Sequence, residues 1–295
     1  MYTAALERHL ALIEQALPTY LPQPSGASSV TAEAMQYACE AGGKRLRPVL
    51  VLEFARLCGG SPEKALPFAC ALEMIHSYSL VHDDLPCMDN SPLRRGKPST
   101  HAAFGETTAL LAGDGLLNRA FEVCVAPQNR IGLDAECVLR ATAALADAAG
   151  QDGMIGGQTI DLQSEGRLID VETLRELHRK KTGALLIAAC RMGSILAGAD
   201  QATVEAAASY GAHLGLAFQI VDDLLDVTAT AEQLGKPSGA DEENEKSTYV
   251  TLYGLDGARR MAEEETDAAI AALAAFGENA ADLRALTNAL LTRIS

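Results

Sequence analysis

The sequence predicts an all-α fold, and three observations carry that expectation. Alanine, leucine and glutamate are abundant among the 295 residues, aromatic residues make up only 4% and tryptophan is absent, a bias that favours helix over sheet. Apolar residues recur at helical spacing along nearly the whole chain, whereas strand-like alternation is scarce. Glycine and proline gather at a few breaks, as helix ends require.

Taken in order, the periodic segments place helices at 3–17 and 30–41, then at 46–58, which opens after Gly42-Gly43 and stops at Gly59-Gly60-Ser61-Pro62. The next helix, 62–85, begins at Pro62 and meets Pro86, which disfavours helix at Leu85 and lacks a backbone donor. Helices 101–125 and 134–152 flank Pro127-Gln128-Asn129, and 171–178 follows Gly166. Helix 180–198 opens at Lys180-Lys181-Thr182-Gly183 and ends at Gly198, and 201–227, 248–275 and 279–293 complete the chain. Helices 62–85, 101–125, 180–198 and 201–227 are too hydrophobic for one-sided packing and are expected to be central. Residues 89–100 and 231–247 read as polar loops suited to be mobile basic lids. No flexible linker divides the chain, so 1–295 is expected to be one all-helical domain.

The net charge of −15 argues against nucleic acid held on a general basic surface, though local charge can still bind anionic ligands. Seven cysteines are scattered without CxxC spacing and read as reduced structural thiols. The N-terminus lacks a signal-peptide pattern, and no apolar run is long enough to span a bilayer. A cytoplasmic protein is the expectation.

Two acidic clusters stand out. Asp83, Asp84 and Asp89 lie in His-Asp-Asp-Leu-Pro-Cys-Met-Asp; Asp222, Asp223 and Asp226 lie in Gln-Ile-Val-Asp-Asp-Leu-Leu-Asp. Each follows an apolar run, Met74 to Val81 or Leu214 to Val221, so these carboxylates are costly unless cations meet them. Hard divalent cations suit such oxygens and keep positions open for phosphate. Asp222 and Asp226, four apart, share a helix face. Asp83 and Asp89 do not on a regular helix, but an end near 85 lets Asp89 swing back beside Asp83. Either cluster alone also fits a solvated helix end.

Basic groups accompany the acids. Leu93-Arg94-Arg95-Gly96-Lys97 offers two arginine forks for two phosphates, or only a solvated loop. Gly42-Gly43-Lys44-Arg45-Leu46-Arg47-Pro48 combines glycines, cations and a helix N-terminus into an anion cradle. Arg45 reads as a third cradle cation or, since it cannot point with its neighbours, as a surface residue instead. His76 shares the face of Asp83, as a core histidine or a phosphate donor. Lys181, Thr182 and Gln219 offer a charge and two dipoles, and Lys236 is a further cation. Gly156-Gly157-Gln158 and Asp161 read as a helix break with a polar contact.

In combination GGKRLRP, HDDLPCMD, LRRGKP, KKTG, FQIVDDLLD and GKPSGAD…KSTY resemble the trans-isoprenyl diphosphate synthases, specifically the bacterial farnesyl type, from about residue 40 to 260. Where family members often carry acids after the first motif, this chain has Asn90-Ser91-Pro92. The resemblance implies an all-helical homodimer with one deep cavity per subunit and Mg²⁺ as cofactor, three ions per site, with Mn²⁺ the alternative. It implies Asp83 and Asp89, with Asp84, on one metal wall and Asp222, Asp223 and Asp226 on the other. Arg94, Lys181 and Lys236 would grip the allylic diphosphate; Lys44, Arg47, His76 and Arg95 would hold isopentenyl diphosphate; Thr182 and Gln219 would stabilise the allylic cation. The reaction implied is condensation of isopentenyl diphosphate with dimethylallyl and geranyl diphosphate. Tyr78 and Ser79, five and four residues before the first Asp, would set product length, and a tyrosine resembles the C15 enzymes. A geranylgeranyl (C20) synthase is the rival within the class, and a non-catalytic modulatory subunit the rival outside it.

Overall fold

The helices over 46–57, 62–83, 184–196 and 201–228 form the framework that holds both acidic segments. The computed structural model describes residues 2–228 and 247–292. Its elements are α1 (Ala4–Tyr20), α2 (Ser29–Cys39), α3 (Leu46–Leu57), α4 (Pro62–Asp83), a hairpin of β1 (Leu93–Arg94) and β2 (Lys97–Pro98), α5 (Thr100–Phe104), α6 (Glu106–Val125) and α7 (Ala135–Ala149). There follow α8 (Met154–Ser164), α9 (Val171–His178), a π-helical turn (Arg179–Gly183), α10 (Ala184–Leu196), α11 (Gln201–Thr228), α12 (Tyr249–Ala272) and α13 (Ala281–Leu291). The class is all-α, as the periodicity predicts.

Helix α10 packs on α3, α7 and α11, while α4 lies against α3 and α6. The apolar pattern accounts for this: α10 buries ten of its 13 residues, α3 nine of 12 and α4 thirteen of 22. At about 1.5–3 kcal/mol per fully buried large apolar side chain, these three helices hold the framework together. A smaller cluster joins Ile220, Val221, Leu224 and Leu225 of α11 to Leu174 of α9 and Tyr249, Ala258 and Ala262 of α12. That cluster packs the α11 segment bearing Asp222, Asp223 and Asp226.

Four expectations are corrected. Segment 101–125 breaks at Gly105 (φ 83°), and α6 is not central, because Leu110, Leu111 and Val125 remain about half exposed. Helix 248–275 is kinked by Gly254 (φ 68°). Residues 154–164 form a helix, not merely a break. Arg45 is buried: it adopts a left-handed φ of 47° just before α3, and its guanidinium meets Glu73 (2.7 Å), Glu14 (2.7 Å) and the Cys39 carbonyl (2.7 Å). A non-glycine residue there costs about 1–3 kcal/mol, and three charge-assisted bonds offset it.

Candidate active site

The first acidic cluster sits where α4 ends. Beyond Asp83 the chain folds back: the Asp89 N–H donates to the Asp83 carbonyl (2.9 Å), that of Asn90 to Leu85 (3.0 Å) and that of Ser91 to Asp84 (3.1 Å). The turn expected from Pro86 thus brings residues 83 and 89 together. Burial pushes the half-buried Asp83 carboxyl above its ordinary range, Lys181 opposes that shift, and Asp89 adds to it. The Gln158 amide also donates to Asp83. Asp84 faces the other way, 2% exposed, with the Arg94 guanidinium on both its oxygens.

The stretch 89–100, expected as a loop, contains the antiparallel hairpin, with Leu93 opposite Pro98 and Arg94 opposite Lys97. Arg95 and Gly96 form its two-residue turn, both at positive φ (55° and 77°), the geometry of a primed hairpin turn. Tyr37 anchors it by donating to the Pro98 carbonyl (2.7 Å). The adjacent arginines diverge. Burial lowers the Arg94 pKa, but Asp84, helped by Asp83 and Asp89, more than offsets this and raises it. Arg95 lies over Gly43, where a Cβ would overlap its guanidinium, so the glycine of the GGKRLRP segment makes room for this cation.

Arg47, Arg95 and His76 lie within electrostatic reach of one another. Burial lowers the Arg47 and Arg95 pKa values, and each is affected by its cationic neighbours. Burial, then Arg47 and Arg95, drives the His76 imidazole well below its usual range, so it is neutral near pH 7. The buried Nε of Arg47 has no partner among the described residues, a donor in need of an acceptor. The Lys44 ammonium stands 5.6 Å over the Phe218 ring, linking the cradle to α11.

Helix α8 supplies two residues that the sequence reading undervalued. Gln158 holds Asp83, and Asp161 accepts from Lys181 (2.6 Å). Their three-residue spacing beside apolar Met154, Ile155 and Leu162 was the available signal. At Gly157 a Cβ would overlap the Lys181 backbone, so α8 meets the π-helical turn only because that position lacks a side chain. From the turn, Thr182 donates to Gln219 Oε1 (3.1 Å); Gln219 Nε2 lies 3.4 Å from Asp223, which also accepts from the Tyr249 N–H (2.9 Å).

Asp223 therefore caps the start of α12, favourable for an anion at a helix N-terminus, and Asp226 is 2% exposed. Asp222 is half-buried. No group of three or more His, Cys, Asp or Glu side chains is arranged to hold a metal among the described residues. Mg²⁺ is commonly held by one or two carboxylates plus substrate phosphates, and Asp83, a cavity-lining residue with Asp89 folded back beside it, offers such donors. Lys236 lies outside the described residues.

One cavity of about 370 Å³ brings Arg47, His76, Asp83, Lys181 and Thr182 into the same space as Tyr78, Met154, Ile155 and Leu162. Ser79 lines it too. A second, of about 140 Å³, contains Gln219 and Asp223, and Lys181 and Thr182 form the wall between them. Charged groups at an apolar chamber suit a ligand with an anionic head and a hydrocarbon tail.

The chain matches the polyprenyl synthetase model over residues 28–290. It belongs to the polyprenyl synthetase family. A farnesyl diphosphate synthase of Geobacillus stearothermophilus is 46% identical over 84% of this chain and 82% of its own. A geranylgeranyl diphosphate synthase of Cyanophora paradoxa is 43% identical over 92% and 90%. In structure, an FPP/GFPP synthase from Zymomonas mobilis matches with a TM-score of 0.86, 38% identity and 97% coverage of both chains. Membership accounts for the motif order, and no helix among the described residues is long and apolar enough to cross a membrane.

Proposed function

We propose that the chain is a prenyltransferase that condenses isopentenyl diphosphate head to tail (1′-4) with dimethylallyl and then geranyl diphosphate, releasing diphosphate and yielding (2E,6E)-farnesyl diphosphate. The observation that carries this reading is the 370 Å³ cavity, where Asp83, Lys181 and Arg47 share one space with Tyr78 and the apolar residues of α8.

Asp83 and Asp89 would hold Mg²⁺ from the α4 side, and Asp222, supported by Asp223 and Asp226, from the α11 side, three ions in all. When bound, Mg²⁺ neutralises charge on the departing diphosphate. Arg94, Lys181 and Lys236 would add positive charge as the allylic C–O bond breaks. Arg94 and Lys181 stand paired with Asp84 and Asp161, which fixes their direction before ligand arrives. The Thr182 hydroxyl donates a hydrogen bond to Gln219 Oε1, leaving its oxygen lone pairs for the allylic cation; Gln219 acts through that bond. Lys44, Arg47, Arg95 and neutral His76 would hold isopentenyl diphosphate so that its double bond faces the cation. The proton then lost from the isopentenyl unit passes to the released diphosphate.

Tyr78 supports the C15 product: it is 5% exposed and lines the cavity, narrowing the space for a longer tail. The half-exposed Leu110, Leu111 and Val125 of α6, with Leu139 of α7, support a homodimer. A cytoplasmic location agrees with substrates that are water-soluble diphosphates.

The test is chromatography of products from purified protein, both C5 diphosphates and Mg²⁺, then Mn²⁺. C15 is expected with Mg²⁺; C20 as the main product would favour the geranylgeranyl reading, and no product would favour a modulatory subunit. Asp83→Ala and Asp222→Ala are each expected to lower turnover about 10²–10³-fold, the scale of lost transition-state charge stabilisation, with helical circular dichroism unchanged.

A further inference from the structure

We propose that Gly113 on α6 is a specificity-determining residue, because it provides the recess that keeps the His82 imidazole out of the chain-binding cavity. His82 precedes Asp83 and lines the 370 Å³ cavity with Tyr78. Its ring is parked against α6: Nε2 lies 3.0 Å from the Leu110 carbonyl, and the Asp114 carboxylate is 3.9 Å away. A carbonyl only accepts, so Nε2 carries the proton. At Gly113 a Cβ would overlap three atoms of that imidazole. The recess exists only because residue 113 has no side chain.

The consequence reaches the cavity through Tyr78. The two rings meet edge to face, with centroids 5.8 Å apart, a favourable aromatic geometry. The Tyr78 hydroxyl is buried without a hydrogen-bond partner among the described residues, so packing, and His82 in particular, sets where this ring stands. A methyl at 113 closes the α6 side, and the open direction left to the imidazole is the cavity it lines. The space for an isoprenoid tail then shrinks. Removing the imidazole enlarges it and frees Tyr78 to lean towards α6.

This inference rests on the reading of the cavity as the seat of the growing chain. Product chain lengths are measured by chromatography for wild type, Gly113→Ala, His82→Ala and the double variant, with circular dichroism to confirm folding. Gly113→Ala is expected to lower the C15-to-C10 ratio at least about tenfold, the discrimination that a methyl-sized change in an apolar pocket produces. His82→Ala is expected to raise the share of C20. The double variant is expected to follow His82→Ala, since no imidazole remains to be displaced. A merely structural glycine predicts that the double variant keeps the Gly113→Ala shift, and that result overturns the inference. So does an unchanged product ratio in folded Gly113→Ala, or, if that variant does not fold, an unchanged ratio in His82→Ala. A wild type that makes no prenyl product removes the proposed function itself, whereas a productive wild type without these shifts refutes only the role of Gly113.

Discussion

Tyr78 concentrates the product-length argument in one side chain. Burial pushes its phenol up to about 12, so it stays neutral at any working pH and acts by shape. Tyr78→Ala is expected to extend the main product beyond C15, at a stability cost of about 3–5 kcal/mol as for other large aromatic truncations; chromatography and urea unfolding read the two effects. The acids were legible as residues, since Asp83 and Asp89 meet as the proline turn implied. The partners of Asp84 and Arg45 were not, because direction is set by tertiary contact: Arg94 reaches Asp84 from a hairpin ten residues on, and Arg45 turns inward to Glu73. That last pair is enclosed on both sides, with side chains 1% and 2% exposed. Glu73→Gln should destabilise by about 3 kcal/mol, the low end for breaking a buried pair, since Glu14 and the Cys39 carbonyl still satisfy Arg45.

At the scale of elements, α8 shows what periodicity alone does not reveal. Gly156-Gly157 looked like punctuation, because glycine disfavours helix interiors by about 1 kcal/mol. Contact with the π-helical turn overrides that preference. Such turns interrupt helices at functional sites, and here Lys181 and Thr182 lie on one. Gly157→Ala should push α8 from the turn, cost about 1–3 kcal/mol as overpacking does, and reduce turnover more than isopentenyl diphosphate binding. Equal loss of both, or of neither, would show that this approach does not position Lys181. The remaining helices were readable because burial and apolar spacing agree, most clearly in α10. Segment 101–125 departs from its expected central place because hydrophobicity alone does not bury a helix on all sides: α6 keeps an apolar outer side.

Across the whole molecule, the N-terminal helix is joined to the C-terminal region through a buried acid. Glu53 accepts from Arg56 (2.6 Å) and is hydrogen-bonded to His9 (3.1 Å), while Arg56 also reaches the Asn279 carbonyl (2.8 Å). Burial alone would raise the Glu53 carboxyl, but the bonds from Arg56 and His9 win and hold it below its ordinary range. A folded-state pKa below the unfolded one, about 4.3, stabilises fully above that value, and the contribution is lost as pH falls through the folded pKa. Glu53→Gln should therefore flatten the acid side of the stability profile below about pH 4.3 in urea unfolding; an unchanged slope would rule this residue out as its source.

The central claim is that acidic walls on α4 and α11 bind one diphosphate together through metal. Its most direct measurement is calorimetric titration of wild type, Asp83→Asn and Asp222→Asn with a non-ionisable thiolo analogue of dimethylallyl diphosphate, with Mg²⁺ and with EDTA. Wild type is expected to bind only with Mg²⁺, and each variant at least about tenfold more weakly, about 1.4 kcal/mol. Equal affinity with EDTA, or full affinity in either variant, would contradict the claim.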